Sequence, residues 1–404
     1  MKFSEFDFVP EIMDGLEAMG FEKPSPVQEL AIPQIMEDKD LIVCAQTGTG
    51  KTAAYLLPVM DKILKNKIEG FSTLILVPTR ELALQIDQQM EGFGYFLPIT
   101  SLAVYGGGDS GTWDQQKTGL SEGADVVVAT PGRMISHLNL GYVKCDKIKH
   151  LILDEADRML DMGFFEDLMQ IVNYLPKERQ NLMFSATMPP KIRELAKNIM
   201  VEPESINIAI SKPAEGILQA AYMLYDSQKI PLIQTLLEGK DLKSVIIFSS
   251  TKSNVKNIAR DLKRKGFKVA GIQSDLEQSE REEVLREFRN RNYQILVATD
   301  IIARGIDIDS IDLVINFDVP RDAEDYVHRV GRTARAESEG VALTFINEKD
   351  QNDFHKIETL IEKEVFKVPV PHELGEAPEY KPNVKSKSNK RRFFKKKPFK
   401  GKKK

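Results

Sequence analysis

The chain has 404 residues, 42% hydrophobic and 29% charged, which fits a globular protein of two domains with appendages. No apolar run approaches the ~20 residues of a membrane span, and the N-terminus lacks the apolar core of a signal peptide, so we expect a cytoplasmic protein. The two cysteines are too few for a disulfide scaffold or a Cys₄ zinc site. The net charge of −4 is unevenly distributed, because residues 385–404 contain twelve Lys/Arg and no acidic residue, which leaves residues 1–384 at −16.

The first motif along the chain is a phosphate-binding loop. It follows an apolar run at 41–44 and precedes a helical pattern. Its glycines let backbone N–H groups approach phosphates, Lys51 reaches the β and γ groups, and the Thr52 hydroxyl can hold Mg²⁺. The residues predicted to bind the nucleotide here are Ala45, Gln46, Thr47, Gly48, Thr49, Gly50, Lys51 and Thr52. The motif predicts binding of a nucleoside triphosphate.

Short aliphatic runs alternate with helical patterns along two stretches of the chain. They lie at 41–45, 73–77, 101–105, 125–129, 151–153 and 182–185, and again at 245–248, 269–272, 295–298, 313–317 and 341–346. This alternation predicts an α/β fold with a parallel sheet in each half. The sequence VVVAT at 126–130 even resembles ILVAT at 295–299, which is a weak sign of duplication.

Changes in composition along the chain indicate the boundaries of the domains, the linker and the tail. A polar stretch marks a linker at 207–216, so we predict domains at 1–206 and 217–370. From 371 to 404 the sequence is rich in Pro, Lys, Asn and Ser and cannot bury a core, which predicts a disordered basic tail. Three phenylalanines among its lysines favour binding of single-stranded nucleic acid, although a purely solubilising tail is the alternative.

An acidic motif, DEAD at 154–157, directly follows the apolar run at 151–153. In a parallel sheet this position lies at the carboxyl end of a strand, on the same edge as the phosphate loop. Asp154 is predicted to bind Mg²⁺ through water, and Glu155 to orient and deprotonate the attacking water. An acidic cluster alone also fits a solvated helix start; the phosphate loop upstream favours catalysis.

Together the motifs resemble those of the DEAD-box RNA helicases, over nearly the whole chain up to about residue 365. The additional motifs are GFEKPSPVQ at 20–28, PTREL at 78–82, GG at 106–107, TPGR at 130–133, SAT at 185–187, FS at 248–249, Gln278 with Arg281, ATDIIARGID at 298–307 and YVHRVGRTAR at 326–335. The resemblance implies two RecA-like domains in tandem that close over ATP on one side and over single-stranded RNA on the other.

For the nucleotide, the resemblance implies contacts from both domains. Gln28 would read adenine through its amide, Phe21 would stack on the base, and Asp307 would contact the ribose. Arg332 and Arg335 of the second domain would reach the γ-phosphate as arginine fingers, so that hydrolysis requires closure.

The resemblance also implies residues for coupling and for RNA. Ser185, Thr187 and His328 would link the acidic motif to domain closure. The implied RNA contacts are Thr79, Arg80, Gly107, Thr130, Arg133, Arg281, Thr299 and Asp300. Contacts of this kind, mostly to the phosphate and 2′-hydroxyl groups, predict little sequence specificity and discrimination against DNA.

Two positions depart from the usual family pattern. Ala334 stands where a glycine is common, and Gln273 where a histidine is common. If the glycine normally has positive φ, Ala334 would strain the turn and misalign Arg335.

The sequence thus predicts an ATP- and Mg²⁺-dependent RNA helicase that locally unwinds short RNA duplexes or remodels RNA–protein complexes. The predicted partners are single-stranded and short duplex RNA, including ribosomal or messenger RNA assemblies, with no membrane, and the protein is expected to be a monomer. An RNA clamp or annealing chaperone whose ATPase only times release is one alternative, and a DNA helicase is another.

Overall fold

The computed structural model describes residues 1–45, 48–107, 110–208, 216–240, 242–273, 275–299, 311–333 and 340–382. Over these ranges the chain forms two domains, each with a seven-stranded sheet in which all pairings are parallel. The predicted α/β fold with two parallel sheets is confirmed. Among the described residues, no helix has both the length and the apolar character that crossing a membrane requires.

The first domain begins with a 3₁₀ helix at Phe3–Phe6. Its strands, in spatial order β3-β4-β2-β5-β6-β1-β7, are β1 (Leu41–Cys44), β2 (Thr73–Leu76), β3 (Ser101–Val104), β4 (Val126–Ala129), β5 (His150–Leu153), β6 (Gln180–Ser185) and β7 (Glu204–Asn207). Its helices are α1 (Pro10–Ala18), α2 (Pro26–Met36), α3 (Lys51–Lys65), α4 (Arg80–Phe93), α5 (Ser110–Glu122), α6 (Pro131–Asn139), α7 (Ala156–Asp161), α8 (Phe165–Val172) and α9 (Pro190–Ile199).

The second domain repeats this plan. Its strands, in spatial order β10-β11-β9-β12-β13-β8-β14, are β8 (Ile217–Met223), β9 (Val245–Phe248), β10 (Val269–Ile272), β11 (Ile295–Ala298), β12 (Leu313–Asn316), β13 (Gly340–Ile346) and β14 (Phe366–Lys367). The described helices are α10 (Asp226–Leu237), α11 (Lys252–Arg264), α12 (Gln278–Arg289), α13 (Ala323–Val330) and α14 (Gln351–Leu360), with a 3₁₀ helix at His372–Leu374.

The two strand orders are the same when counted from the start of each domain. The similar sequences at 126–130 and 295–299 fall on β4 and β11, which occupy equivalent positions in the two sheets. The topology therefore strengthens the inference of duplication that the short sequence match suggested.

Both faces of each sheet are buried, because apolar residues fill successive strand positions. On β2 and β5, Ile75 and Ile152 face one core, whereas Leu74 and Leu153 face the other. All four are at most 1% exposed. Helices must cover both faces of such a sheet, which leaves the carboxyl ends of the strands as the edge where loops can build a site.

At the end of the first domain, β7 includes Asn207, which the sequence analysis assigned to the linker. The N–H of Ile208 continues this pairing by donating to the carbonyl of Cys44 at 2.9 Å. The rest of the predicted linker, 209–215, lies outside the described residues.

The C-terminal strap, residues 366–382, lies against the second domain. The Gln228 side chain donates to the carbonyls of Leu374 (2.8 Å) and Glu376 (2.9 Å). The Tyr380 hydroxyl donates to Glu358 at 2.7 Å, and its ring packs edge-on to Phe354. The predicted disordered tail starts at 371, whereas residues 371–382 have defined partners in the structure. Residues 383–404, with most of the basic charge of the tail, lie outside the described part.

We expect Tyr380→Ala to destabilise the second domain by about 2 kcal/mol, because the buried Glu358 carboxylate loses a donor and Phe354 loses an aromatic neighbour. This corresponds to a decrease in Tm of about 4–8 °C, measurable by thermal unfolding. Tyr95→Ala is the matched control, because the Tyr95 side chain is 80% exposed. An unchanged Tm in the Tyr380 variant would show that the strap does not stabilise the domain.

Candidate nucleotide and RNA sites

The phosphate loop begins where β1 ends. The N–H of Ala45 donates to the Ser185 carbonyl at 3.0 Å, which joins the loop to the end of β6. Gly48 and Gly50 have φ of +83° and +89°, a conformation that residues with a Cβ adopt at a cost. Lys51 starts α3, is 6% exposed, and donates through Nζ to the Ala45 carbonyl at 2.7 Å. Gln46 and Thr47 lie outside the described residues.

Gln28, predicted to read adenine, is bound to this loop. Its Nε2 donates to the Gly50 carbonyl at 3.0 Å, and its Oε1 accepts from the Ser25 N–H at 2.8 Å. A Cβ on Gly50 would lie 2.6 Å from the Gln28 Nε2 and would need the strained φ of +89°, so another residue here would displace the Gln28 amide and strain the loop. In this structure Gln28 therefore connects α2 to the phosphate loop, and adenine recognition stays a prediction. Phe21 packs against Phe93 at 5.3 Å between ring centroids.

Asp154 lies at the end of β5, on the same sheet edge as the phosphate loop, and is 3% exposed. Its carboxylate accepts from the Tyr55 hydroxyl and from the Glu155 N–H, both at 2.9 Å. Burial raises the pKa of Asp154, and the positive charge of Lys51 opposes that change. Burial raises the pKa of Tyr55 well above its usual value, and its interaction with the Thr52 side chain opposes that change, so Tyr55 interacts with both residues predicted to hold Mg²⁺.

We expect Tyr55→Phe to raise the Mg²⁺ concentration needed for half-maximal ATP hydrolysis by about tenfold, because the hydroxyl that orients the Asp154 carboxylate is lost. A titration of activity with Mg²⁺ measures this effect. Tyr326→Phe is the control: its hydroxyl is also buried and donates to Gln219 at 2.9 Å, but it lies in the second domain. The same Mg²⁺ requirement in both variants would contradict the role of Tyr55.

Glu155 adopts a left-handed backbone conformation, with φ 50° and ψ 48°, directly before α7. Its Oε2 accepts from the Arg158 guanidinium at 3.0 Å, and the two side chains are 13% and 6% exposed. Strained backbone at a non-glycine residue persists where the surroundings hold it, and it is common at functional sites. The backbone conformation and the ion pair with Arg158 together fix the orientation of the Glu155 carboxylate, the predicted general base.

The predicted coupling residues connect the acidic motif to the end of β6. Thr187 donates to the Asp157 carboxylate from both its N–H and its hydroxyl, each at 3.0 Å. The Ser185 hydroxyl donates to the Thr187 carbonyl at 2.7 Å. A shift of the acidic motif would therefore move this segment directly. His328 lies in the second domain on α13.

The two domains meet in this structure. The Arg80 guanidinium of the first domain pairs with the Glu282 carboxylate of the second at 2.9 Å. Near the phosphate loop, burial raises the pKa of the Cys44 thiol, and the negative charge of Glu324 on α13 raises it further. The second domain thus contacts the predicted RNA edge of the first and acts electrostatically on Cys44, next to the phosphate loop.

The predicted arginine finger Arg332 lies two residues beyond the end of α13, after its C-cap Gly331. The neighbouring Arg329 is 2% exposed and donates to the Asp318 carbonyl at 2.8 Å, so it holds the domain together. Thr333 donates through its hydroxyl to the Ile311 carbonyl at 2.5 Å, which anchors the turn that carries Arg332. The remaining predicted nucleotide contacts of this domain, Asp307 and Arg335, lie outside the described residues, as does Ala334.

The predicted RNA residues of the first domain lie at the carboxyl ends of β2, β3 and β4. Thr79 and Thr130 precede α4 and α6 as N-caps, and Gly107 has φ of +84°. Arg133 donates through Nε to the Tyr105 carbonyl at 2.8 Å.

In the second domain Arg281 lies on α12 and Thr299 follows β11. Asp300 lies outside the described part of the chain, and Gln273 is buried at 4% exposure. Within the described ranges, Nε of Arg80 and Nε of Arg281 are buried and have no hydrogen-bond partner. Unsatisfied buried donors are rare and need an explanation.

Two residues of the site, Tyr55 and Arg158, could have been found from the sequence but were not predicted. Tyr55 lies one helical turn beyond the phosphate loop, and Arg158 lies one turn beyond Glu155. This spacing places each of them on the same helix face as the motif that it follows.

A phosphate loop and an acidic motif on one sheet edge, facing a second domain of the same topology, define a two-domain P-loop ATPase of the RecA-like type. Residues 25–195 match the DEAD/DEAH box helicase family, and residues 228–337 match the helicase conserved C-terminal domain. The chain belongs to the DEAD/DEAH box helicase family, and the prediction of an ATP-dependent RNA helicase is confirmed at that level.

Curated relatives support this assignment over most of the chain. The chain is 40% identical over 371 residues to the DEAD-box ATP-dependent RNA helicase CshA of Geobacillus kaustophilus, covering 91% of this chain and 78% of that protein. It is also 40% identical to CshA of Listeria monocytogenes, covering 92% and 71%. Among solved structures it resembles S. cerevisiae Dbp5 bound to RNA and ADP BeF3, with a TM-score of 0.80, 31% identity, and coverage of 91% and 95%.

Proposed function

We propose that this protein couples RNA-stimulated ATP hydrolysis to local separation of short RNA duplexes or to remodelling of RNA–protein complexes. The observation that carries the proposal is the divided site: the phosphate loop and Glu155 lie in the first domain and Arg332 in the second. Arg80 and Glu282 bring the two domains into contact. A site completed only by closure allows RNA binding between the domains to control hydrolysis.

The charges at the predicted RNA edge support RNA as the ligand. Arg80 and Arg281 come from different domains, and each has an unpartnered, buried Nε donor. A phosphate oxygen is the acceptor that a guanidinium binds best, and a strand crossing both domains would supply phosphates to each. RNA in that position would favour the closed arrangement.

The oxygen atoms of Thr52 and Asp154 fit a magnesium ion. Mg²⁺ prefers oxygen ligands and in nucleotide sites is held by one or two protein groups together with phosphates and water. When bound, it would neutralise charge on the phosphates. Glu155 would hold the attacking water and accept its proton at a carboxylate oxygen.

The proposal is tested by ATPase and strand-separation assays on the full chain. We expect single-stranded RNA to stimulate ATP turnover, DNA of the same sequence to stimulate it much less, and a short RNA duplex to be separated only with hydrolysable ATP. Stimulation without strand separation would instead favour the RNA clamp. Equal stimulation by DNA would favour the DNA helicase.

We also infer a supporting role for the basic segment 383–404 in RNA affinity. Its Lys and Arg residues would neutralise phosphates and its phenylalanines would stack on bases. Deleting these residues should raise the RNA concentration needed for half-maximal stimulation and reduce its salt dependence. An unchanged affinity and salt dependence would refute this role. The cellular setting we propose is a cytoplasmic monomer acting on ribosomal or messenger RNA assemblies.

A further inference from the structure

Trp113, the single tryptophan of the chain, packs from α5 onto α6 beside the predicted RNA edge. Its indole stacks on the His137 ring, with centroids 4.1 Å apart and planes at 17°. The guanidinium carbon of Arg133 lies 4.8 Å from the indole centre. The half-buried Trp113 ring therefore contacts both Arg133, a predicted RNA-binding residue, and His137, which lies one turn further along α6.

His137 provides a fixed and uncharged support for the indole. It is fully buried; its Nε2 donates to Oε1 of Gln116 at 3.2 Å, and its Nδ1 accepts from the Tyr142 hydroxyl. Burial, and then the charge of Arg133, lowers the pKa of His137 to about 4. The imidazole is thus neutral near pH 7, which agrees with one donating and one accepting nitrogen and removes repulsion towards Arg133.

Arg133 is held from a second direction. Its Nε donates to the Tyr105 carbonyl at 2.8 Å, and the same carbonyl accepts from Nε2 of Gln116 at 3.1 Å. A guanidinium has five N–H donors in one plane. The Tyr105 carbonyl fixes the position of Nε and the Trp113 ring fixes the plane, so the orientation of the two Nη groups is fixed as well. The Tyr105 ring also lies 4.5 Å from the guanidinium carbon of Arg80, a second predicted RNA residue.

We propose that Trp113 is an RNA-positioning residue: its indole, resting on His137, holds the Arg133 guanidinium in the orientation that binds an RNA phosphate. An arginine already held in place loses less conformational freedom on binding than a mobile one, so the indole increases affinity without contacting the phosphate itself. This inference rests on the proposed function, because it assumes that RNA lies along Thr130–Arg133.

The test measures the RNA concentration for half-maximal ATPase stimulation and the anisotropy of a short fluorescein-labelled single-stranded RNA. We expect Trp113→Leu to raise the RNA concentration for half-maximal stimulation and for half-maximal anisotropy change about 5- to 10-fold, which corresponds to the loss of one cation–π contact. At saturating RNA, kcat should fall less than twofold. Trp113→Phe keeps a smaller aromatic face and should show an intermediate change. Tyr95→Leu, at an exposed aromatic residue, is the matched control and should behave as wild type.

A double-mutant cycle separates positioning from packing. Arg133→Lys removes the planar group that the indole holds, so adding Trp113→Leu to it should cause little further loss of RNA affinity. If the two losses multiply, or if Trp113→Leu lowers Tm but leaves the RNA midpoint unchanged, Trp113 is a packing residue only and the proposal is overturned.

The unmodified protein offers a readout that does not depend on any variant folding. Because Trp113 is the sole tryptophan, its emission should change saturably with RNA, at the same midpoint as the stimulation of ATPase activity. No change in emission, despite normal stimulation, would overturn the role of Trp113 alone. A wild-type protein that RNA does not stimulate would instead refute the proposed function.

Discussion

Glu155→Gln should reduce RNA-stimulated ATP hydrolysis by about 10²–10⁴-fold while ATP binding stays close to that of the wild type. The amide keeps the size of the carboxylate and can still accept from Arg158 through its oxygen, so the 3.0 Å contact survives in neutral form. It cannot accept a proton from water. Turnover is measured at saturating RNA, and binding with a fluorescent ATP analogue.

Glu166→Gln is the control for this change, because it makes the same substitution at an exposed position on α8 in the same domain. We expect it to leave turnover unchanged. If Glu155→Gln hydrolyses ATP within twofold of wild type, the general base is another group and the assignment of the acidic motif must be revised.

The sheet and the phosphate loop were predictable because their signals are local. A buried parallel strand needs an apolar run, as at Leu151–Leu153, and a loop that binds phosphate needs glycine where φ is positive, as at Gly48 and Gly50. The acidic motif was placed on the correct sheet edge by the same logic, since Asp154 follows β5 directly. In each case neighbours in sequence determine the structure.

Contacts between distant segments were not predictable in this way. The pair of Arg80 with Glu282 joins residues about two hundred positions apart, on different domains, and no pattern in either segment indicates the other. The contact from Tyr55 to Asp154 spans 99 positions. Both depend on how helices pack at the strand ends, which periodicity does not determine.

The C-terminal strap shows a different limit to predicting structure from sequence. Residues 371–382 have the polar, proline-containing composition of a linker, and composition alone predicts disorder. Their position instead comes from contacts with the second domain. Gln228 donates to strap carbonyls, and Gln351 both donates to the Glu379 carbonyl and accepts from the Lys381 N–H. Tyr380 adds its hydrogen bond to Glu358. Individual side-chain contacts can thus order a segment whose own sequence has no regular apolar pattern.

Arg332→Ala should lower RNA-stimulated kcat by about 10³-fold or more, the range found for arginine fingers, with much smaller changes in ATP and RNA binding. Arg332 follows α13, whose residue Glu324 acts electrostatically on Cys44 beside the phosphate loop, so this part of the second domain already lies near the nucleotide edge. Arg332→Lys should restore little activity, because an ammonium lacks the planar fork that spans two phosphate oxygens.

Arg321→Ala removes the same charge from an exposed position just before α13 and should leave kcat unchanged. If Arg332→Ala matches that control, the second domain does not complete the catalytic site. Hydrolysis would then belong to the first domain alone, and RNA would have to stimulate it by a route other than closure. The ratio of the two kcat values therefore tests whether the catalytic centre is divided between the domains.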